Sequence, residues 1–224
     1  MDTNAFDAEG FGITPPILSG AECLAIETCM TGIIGAGIGT RNLLGHDWCK
    51  KLAVSLKESP FIRPVLSGDH VAVQCTYFEK SKEQNWLVPI HQDLSIPVRD
   101  RVQHAELTGW SAKEAAVFVQ PPTALLEKLV AVRLHLDDCQ VGDGPLRVVP
   151  GTHKLGRLNN ESALYERDKR GETVCPVERG AALVMRPLLL HASSRASGSS
   201  KRRVLHFVYG PGDLPFGLRW QHAV

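Results

Sequence analysis

From His70 onward the chain breaks into short β-rich runs separated by turn chemistry, with no helical pattern alternating between them. The runs are 71–78, 86–91, 129–136, 145–149, 181–185, 188–191 and 203–209. Gly142-Asp143-Gly144-Pro145, Pro150-Gly151 and Glu178-Arg179-Gly180 punctuate them. Parallel sheets need a crossover helix between successive strands, so this pattern predicts a mainly β barrel or double-sheet jelly roll.

The N-terminal part reads differently. Ser19-Gly20-Ala21-Glu22 has the form of a helix start, a Gly-broken segment follows at 31–40, and Trp48, Leu52 and Leu56 recur at helical spacing over 47–57 until Ser59-Pro60. At 224 residues the expectation is one domain over 1–224, with a mainly helical part at 1–70 packed on a jelly-roll core at 71–210. The connection at 99–128, with Gly109-Trp110, Pro121-Pro122 and a short helix around 124–129, has the length of a lid. The Ser/Gly-rich stretch 193–200 reads as a hairpin loop.

Charge narrows the partners. Lys plus Arg number 25 against 24 Asp plus Glu, so the near-neutral balance gives no reason to expect nucleic acid. Six cysteines lie scattered without a C-x-x-C pair, which disfavours a zinc knuckle or disulfide framework and fits a reducing compartment. The acidic, polar start Met1-Asp2-Thr3-Asn4 is unlike a secretory signal, and no run of about eighteen apolar residues occurs. A cytoplasmic protein with no membrane partner is the expectation; oligomeric state leaves no mark in the sequence.

His91-Gln92-Asp93 closes the apolar run at 86–90. On an extended segment, residues one apart point to the same face with Cα atoms about 6.5 Å apart, so His91 and Asp93 can meet one ion. His191 closes a second apolar run at 188–190. Two imidazoles and one carboxylate from neighbouring strands form a facial triad that leaves coordination positions open. Each piece alone recurs by chance, and a histidine beside leucines is more often a hydrogen-bonded core residue. Two other readings of such residues therefore stand beside an open catalytic triad: a cupin-like metalloenzyme of different chemistry, and a jelly-roll binding protein with a structural metal.

Residues 85–206 resemble the phytanoyl-CoA dioxygenase family of Fe(II)/2-oxoglutarate-dependent oxygenases. The matching segments are Asn85-Trp86, His91-Gln92-Asp93, Arg133-Leu134-His135-Leu136-Asp137-Asp138, Gly144-Pro145-Leu146-Arg147-Val148-Val149-Pro150-Gly151-Thr152-His153-Lys154, and His191 with an Arg eleven residues later. The resemblance implies a double-stranded β-helix and an enzyme using Fe(II), 2-oxoglutarate and O2. It implies oxidative decarboxylation of 2-oxoglutarate to succinate and CO2, with hydroxylation of an unactivated C–H bond as the usual outcome. Asp93 is a carboxylate that halogenases of the wider superfamily lack, which argues for oxygen transfer.

The resemblance places the anchor for the far carboxylate of 2-oxoglutarate on Arg202. A guanidinium suits that task because it presents two parallel donors and stays charged. Arg203 and Arg195 are rivals, since strand parity beside a loop is not fixed by pattern. Arg133 and His135 share a strand face, and Arg133 is a further candidate for 2-oxoglutarate or an anionic substrate. Gln74, Thr76, Gln92 and Ser193 are candidates for orienting ligands or cosubstrate. Asp137, Asp138 and His153 read as turn and hydrogen-bonding residues, and Trp86 and Trp110 as lining the mouth. The partner is expected to be a small molecule whose identity the sequence does not select.

Overall fold

The computed structural model describes residues 2–33, 40–81, 85–114, 116–197 and 201–224. In chain order the elements are α1 (Thr3–Glu9), β1 (Phe11–Ile13), α2 (Gly20–Met30), α3 (Asp47–Glu58), β2 (His70–Lys80), β3 (Val88–His91), β4 (Ile96–Val98), β5 (Thr108–Lys113), β6 (Ala116–Gln120), α4 (Thr123–Leu126), β7 (Val130–His135), β8 (Leu146–Val148), α5 (Asn160–Arg170), β9 (Thr173–Cys175), β10 (Ala182–Met185), β11 (His191–Ser193) and β12 (Arg202–Pro211).

The strands form a five-stranded sheet β1-β10-β7-β12-β2, a four-stranded sheet β3-β11-β8-β9 and a three-stranded sheet β4-β6-β5, with every pairing between them antiparallel. The longest pair, β2 with β12, is rich in β-branched and aromatic residues, which fit a pleated surface buried on both faces.

Alternation along these strands separates two environments. Ala72, Cys75 and Tyr77 of β2, Val130, Val132 and Leu134 of β7, and Leu205, Phe207 and Tyr209 of β12 join one core with residues of the N-terminal helices. Helix α3 contributes Cys49, Leu52, Ala53 and Leu56, the stripe expected of a helix lying on a sheet. Helix α2 starts with a reciprocal cap in which Glu22 N donates to Ser19 Oγ and Ser19 N donates to Glu22. The alternate residues of β2, β7 and β12 face the interior between the large sheets.

Along that inner face the register builds cross-strand rungs. Thr76, His206 and Arg133 form one, Phe78, Val204 and His135 the next, and Lys80 with Arg202 the last. The first and last rungs are separated by four residues of β12, about 13 Å along the strand.

Two expected strand starts need correction, and the structure adds detail to two further expectations. The apolar run at 188–190 is a buried turn, closed by Leu189 N donating to Arg186 O, and its strand begins only at His191. The run at 86–91 likewise becomes strand only from Val88. The connection at 99–128 carries the β5–β6 hairpin, which pairs with β4 and covers one end of the interior. β1, inside the part expected to be helical, extends the five-stranded sheet through β10. Of the Gly-broken segment, 34–39 lie outside the described residues, as do 198–200 of the Ser/Gly-rich stretch.

Candidate metal centre

His91 ends β3 and His191 begins β11, and the two are direct register partners. The residues that follow are stitched to the turn before β11: Gln92 Nε2 donates to Leu188 O at 2.7 Å and Asp93 N donates to Pro187 O at 2.9 Å. The Gln92 amide also donates to Gly156 O and accepts from Leu158 N, each at 2.8 Å. Gln92 thus spends its amide on backbone groups, bracing the segment between His91 and Asp93 and leaving little for a cosubstrate.

The result is a convergence of three side chains. One ligand atom from each of His91, Asp93 and His191 lies within 4.8 Å of the others. Nε2 of His91 is 3.9 Å from Asp93 Oδ1, and Nε2 of His191 is 3.7 Å from Asp93 Oδ2. Nδ1 of His91 is 2.9 Å from Pro89 O, and Nδ1 of His191 is 2.8 Å from Leu189 O. A carbonyl only accepts, so each Nδ1 is the donor and each neutral ring keeps its Nε2 lone pair aimed at the shared centre.

Electrostatics support the same arrangement. Burial pushes the His191 pKa down to about 4 despite the neighbouring Asp93, so its ring is neutral at pH 7. Burial alone would raise the Asp93 carboxyl, but His191, His206, His91 and Arg133 outweigh it and hold it below the usual carboxylate range. A neutral His191 and an ionised Asp93 need lose no proton to take up a divalent cation.

A cavity of about 440 Å³ opens over the trio, lined by Gln74, Thr76, Phe78, Trp86, Phe118 and Gln120 among others. Arg202 reaches it from the last rung, 5% exposed, its Nη1 donating to Gly144 O and its Nε without a partner. Arg203 faces the other side of the sheet, where it forks onto Asp137 at 2.6 and 2.8 Å and reaches Glu27 at 2.9 Å. Arg195 is exposed on the preceding loop. Arg133 is 8% exposed, with Nη1 3.0 Å from His206 Nδ1, its guanidinium 5.5 Å from the Phe78 ring, and Nε unpartnered.

Gln74 Nε2 donates to Thr76 Oγ1 at 2.8 Å on the cavity wall. Ser193 Oγ accepts from Lys80 Nζ at 2.9 Å. Asp137 holds Arg203, and Asp138 accepts from Arg179 N, both away from the cavity. His153 packs beneath Gly10. Trp110 belongs to the apolar cluster around β4 and β6, and Trp86 lines the cavity, with Lys80 Nζ 5.6 Å from its ring.

Two buried residues were not singled out by pattern. His206 lies between Thr76 and Arg133 with Nε2 4.0 Å from Asp93 Oδ2, and Lys80 pairs with Arg202 at 1% exposure. Their signal was parity: counting by twos from Arg202 along β12 reaches His206, and counting by twos from Gln74 and Thr76 along β2 reaches Lys80. Burial and the adjacent Arg202 push the Lys80 pKa down to about 8. Lys80, Arg133 and Arg202 thus crowd three buried cations around the inner end of the cavity, an environment built for an anion.

The family model for phytanoyl-CoA dioxygenase (PhyH) matches residues 42–204. The chain belongs to the phytanoyl-CoA dioxygenase family. It is a non-haem oxygenase that depends on iron, 2-oxoglutarate and O2, as the family does. Among solved structures, EctD from S. alaskensis is similar with a TM-score of 0.71 at 15% identity, over 99% of this chain and 84% of that one. SnoK, a non-haem α-ketoglutarate-dependent carbocyclase from nogalamycin biosynthesis, is similar with a TM-score of 0.66 at 15% identity, over 94% and 83%. HygX from Streptomyces hygroscopicus, crystallised with nickel and 2-oxoglutarate, has a TM-score of 0.63 at 19% identity, over 92% and 84%. These likenesses identify the fold as the jelly roll expected from the strand pattern. No curated protein matches the chain. Among the described residues no helix is long and apolar enough to cross a membrane.

Proposed function

We propose that this phytanoyl-CoA dioxygenase family member hydroxylates an unactivated C–H bond of a small molecule, with His91, Asp93 and His191 holding the ferrous ion. The observation that carries the reading is the trio of ligand atoms within 4.8 Å, two of them on imidazoles fixed by backbone carbonyls. Three protein donors leave room for exogenous ones, as a site for chemistry requires. The donor set fits iron, and the unpartnered Nε atoms of Arg202 and Arg133 fit an anionic cosubstrate. Bound together, iron, 2-oxoglutarate and O2 supply the oxidising power and release succinate and CO2.

The chain's own residues do the rest. Arg202 receives the far carboxylate of 2-oxoglutarate in our reading, and Lys80 adds charge behind it while holding Ser193. Arg133 guards the flank between that anchor and the triad. Phe78, Trp86 and Phe118 wall the cavity and exclude water, while Gln74, Thr76 and Gln120 offer polar contacts to a substrate entering beside the β5–β6 hairpin. HygX has been crystallised with hygromycin B, which supports a small-molecule substrate for a fold of this kind. Six free cysteines suit a reducing, cytoplasmic setting.

The test is Fe(II)- and O2-dependent succinate release measured against a library of small metabolites, with products weighed by mass spectrometry. The reading predicts at least one compound that stimulates release and gains a single oxygen. Products formed without 2-oxoglutarate consumption would instead favour the cupin-like alternative.

A further inference from the structure

His206 stands beside the triad without joining it. Its Nε2 is 4.0 Å from Asp93 Oδ2, yet the grouping of mutually close ligand atoms takes in His91, Asp93 and His191 and leaves His206 out. The ring is 6% exposed and held from two directions: Arg133 Nη1 is 3.0 Å from its Nδ1, and Phe78 meets it edge-on at 6.0 Å between centroids.

The Arg133 contact decides where the proton sits. A guanidinium has only donors to offer, so Nδ1 must be the acceptor and the neutral ring carries its hydrogen on Nε2. A protonated ring nitrogen has no lone pair for a metal. That nitrogen therefore carries an N–H near a carboxylate, beyond direct hydrogen-bond distance at 4.0 Å but close enough for its dipole to act on Asp93 Oδ2. The ring is the reverse of the tautomer that His91 and His191 adopt through their carbonyl partners.

We propose that His206 is a positioning residue whose Nε2–H steadies one oxygen of Asp93, leaving the other for the metal, and that Arg133 locks the tautomer that makes this so. One imidazole is thus kept from becoming a fourth protein ligand, and the carboxylate is kept from closing over a second position with both oxygens. Both effects preserve the open coordination sites that a cosubstrate needs. The proposal rests on the triad assigned above.

The experiment is titration of metal-free protein with Co(II), whose visible bands report coordination, in the wild type, His206→Leu, His206→Gln and Asp93→Ala. Thermal melting of each metal-free variant is recorded alongside. Loss of an outer hydrogen-bond partner typically weakens metal affinity by about 10- to 100-fold. His206→Leu is expected to fall in that range with altered bands, and His206→Gln, which keeps an N–H donor, to recover to within about threefold of wild type. A Leu variant that binds Co(II) as the wild type does, whatever its melting temperature, overturns the proposal, as does a Gln variant no better than Leu. Asp93→Ala separates the two levels: if it too binds Co(II) normally, the triad itself is wrong, whereas its loss beside an unaffected Leu variant sinks only the role of His206.

Discussion

His91 and His191 face each other across the β3–β11 pair, with ring centroids 4.2 Å apart. The chain separates them by a hundred residues, but strand pairing makes them neighbours, and the turn at 187–188 holds Asp93 beside both through Gln92 and the Asp93 amide. The proposed metal site is thus positioned by backbone hydrogen bonding between the two strand ends.

It follows that truncating a ligand should remove the metal and spare the fold. His91 and Asp93 retain 38% and 41% side-chain exposure, so His91→Ala and Asp93→Ala open no core cavity. We expect iron affinity to drop by at least about 100-fold and turnover to vanish, with melting temperature within about 3 °C of the metal-free wild type. Equilibrium dialysis and calorimetry measure both quantities.

Arg202 and Arg203 are adjacent in sequence and opposite in role. Arg202→Ala should raise the KM for 2-oxoglutarate with little change in iron affinity, the signature of a lost cosubstrate anchor. Arg203→Ala should leave that KM alone and cost about 1–3 kcal/mol of stability, because it removes the two-pronged contact with Asp137 and leaves Glu27 with Arg179 alone. Steady-state kinetics and urea denaturation of the two variants discriminate the faces of β12.

Lys80 predicts a pH effect of defined sign. Burial and Arg202 lower its folded pKa to about 8 from an ordinary 10.5, so between those values the unfolded chain binds the extra proton. Stability contributed through Lys80 should therefore rise, not fall, as pH climbs from about 8 towards 10.5. The urea midpoint of the wild type minus that of Lys80→Met, compared at pH 7.5 and 9.5, should move in the wild type's favour. Over the same interval 2-oxoglutarate binding should weaken in the wild type only, as the cation beside Arg202 discharges.

Gly144 links the motif at 144–154 to the cosubstrate end of the cavity. Its φ is +65°, a Cβ there would lie 2.5 Å from Ser194 O, and its own carbonyl accepts from Arg202. Gly144→Ala should cost about 1–3 kcal/mol and raise the KM for 2-oxoglutarate by displacing both the 194–196 backbone and Arg202. A variant with wild-type stability and kinetics would break that link.

The sequence exposed most of the site because ligands at strand ends follow apolar runs and turn residues, as at 86–93. It exposed less where burial and pairing part company. Leu188, Leu189 and Leu190 are apolar because they fill a buried turn, so the strand was placed three residues early. β5 was invisible because its residues are largely solvated and carry no alternation, and α5 because its single buried residue, Ala163, leaves no apolar stripe. His206 was hidden inside the run Val204 to Tyr209, where parity alone separates a core position from a cavity position.

The central claim is that three side chains hold one ferrous ion and leave adjacent positions for 2-oxoglutarate. Anaerobic titration of the Fe(II)-loaded protein with 2-oxoglutarate tests it most directly. The account predicts one iron per chain and a weak visible charge-transfer band that saturates at one equivalent of 2-oxoglutarate and is absent in Asp93→Ala. Iron bound at that stoichiometry with no band at any concentration of 2-oxoglutarate would contradict it.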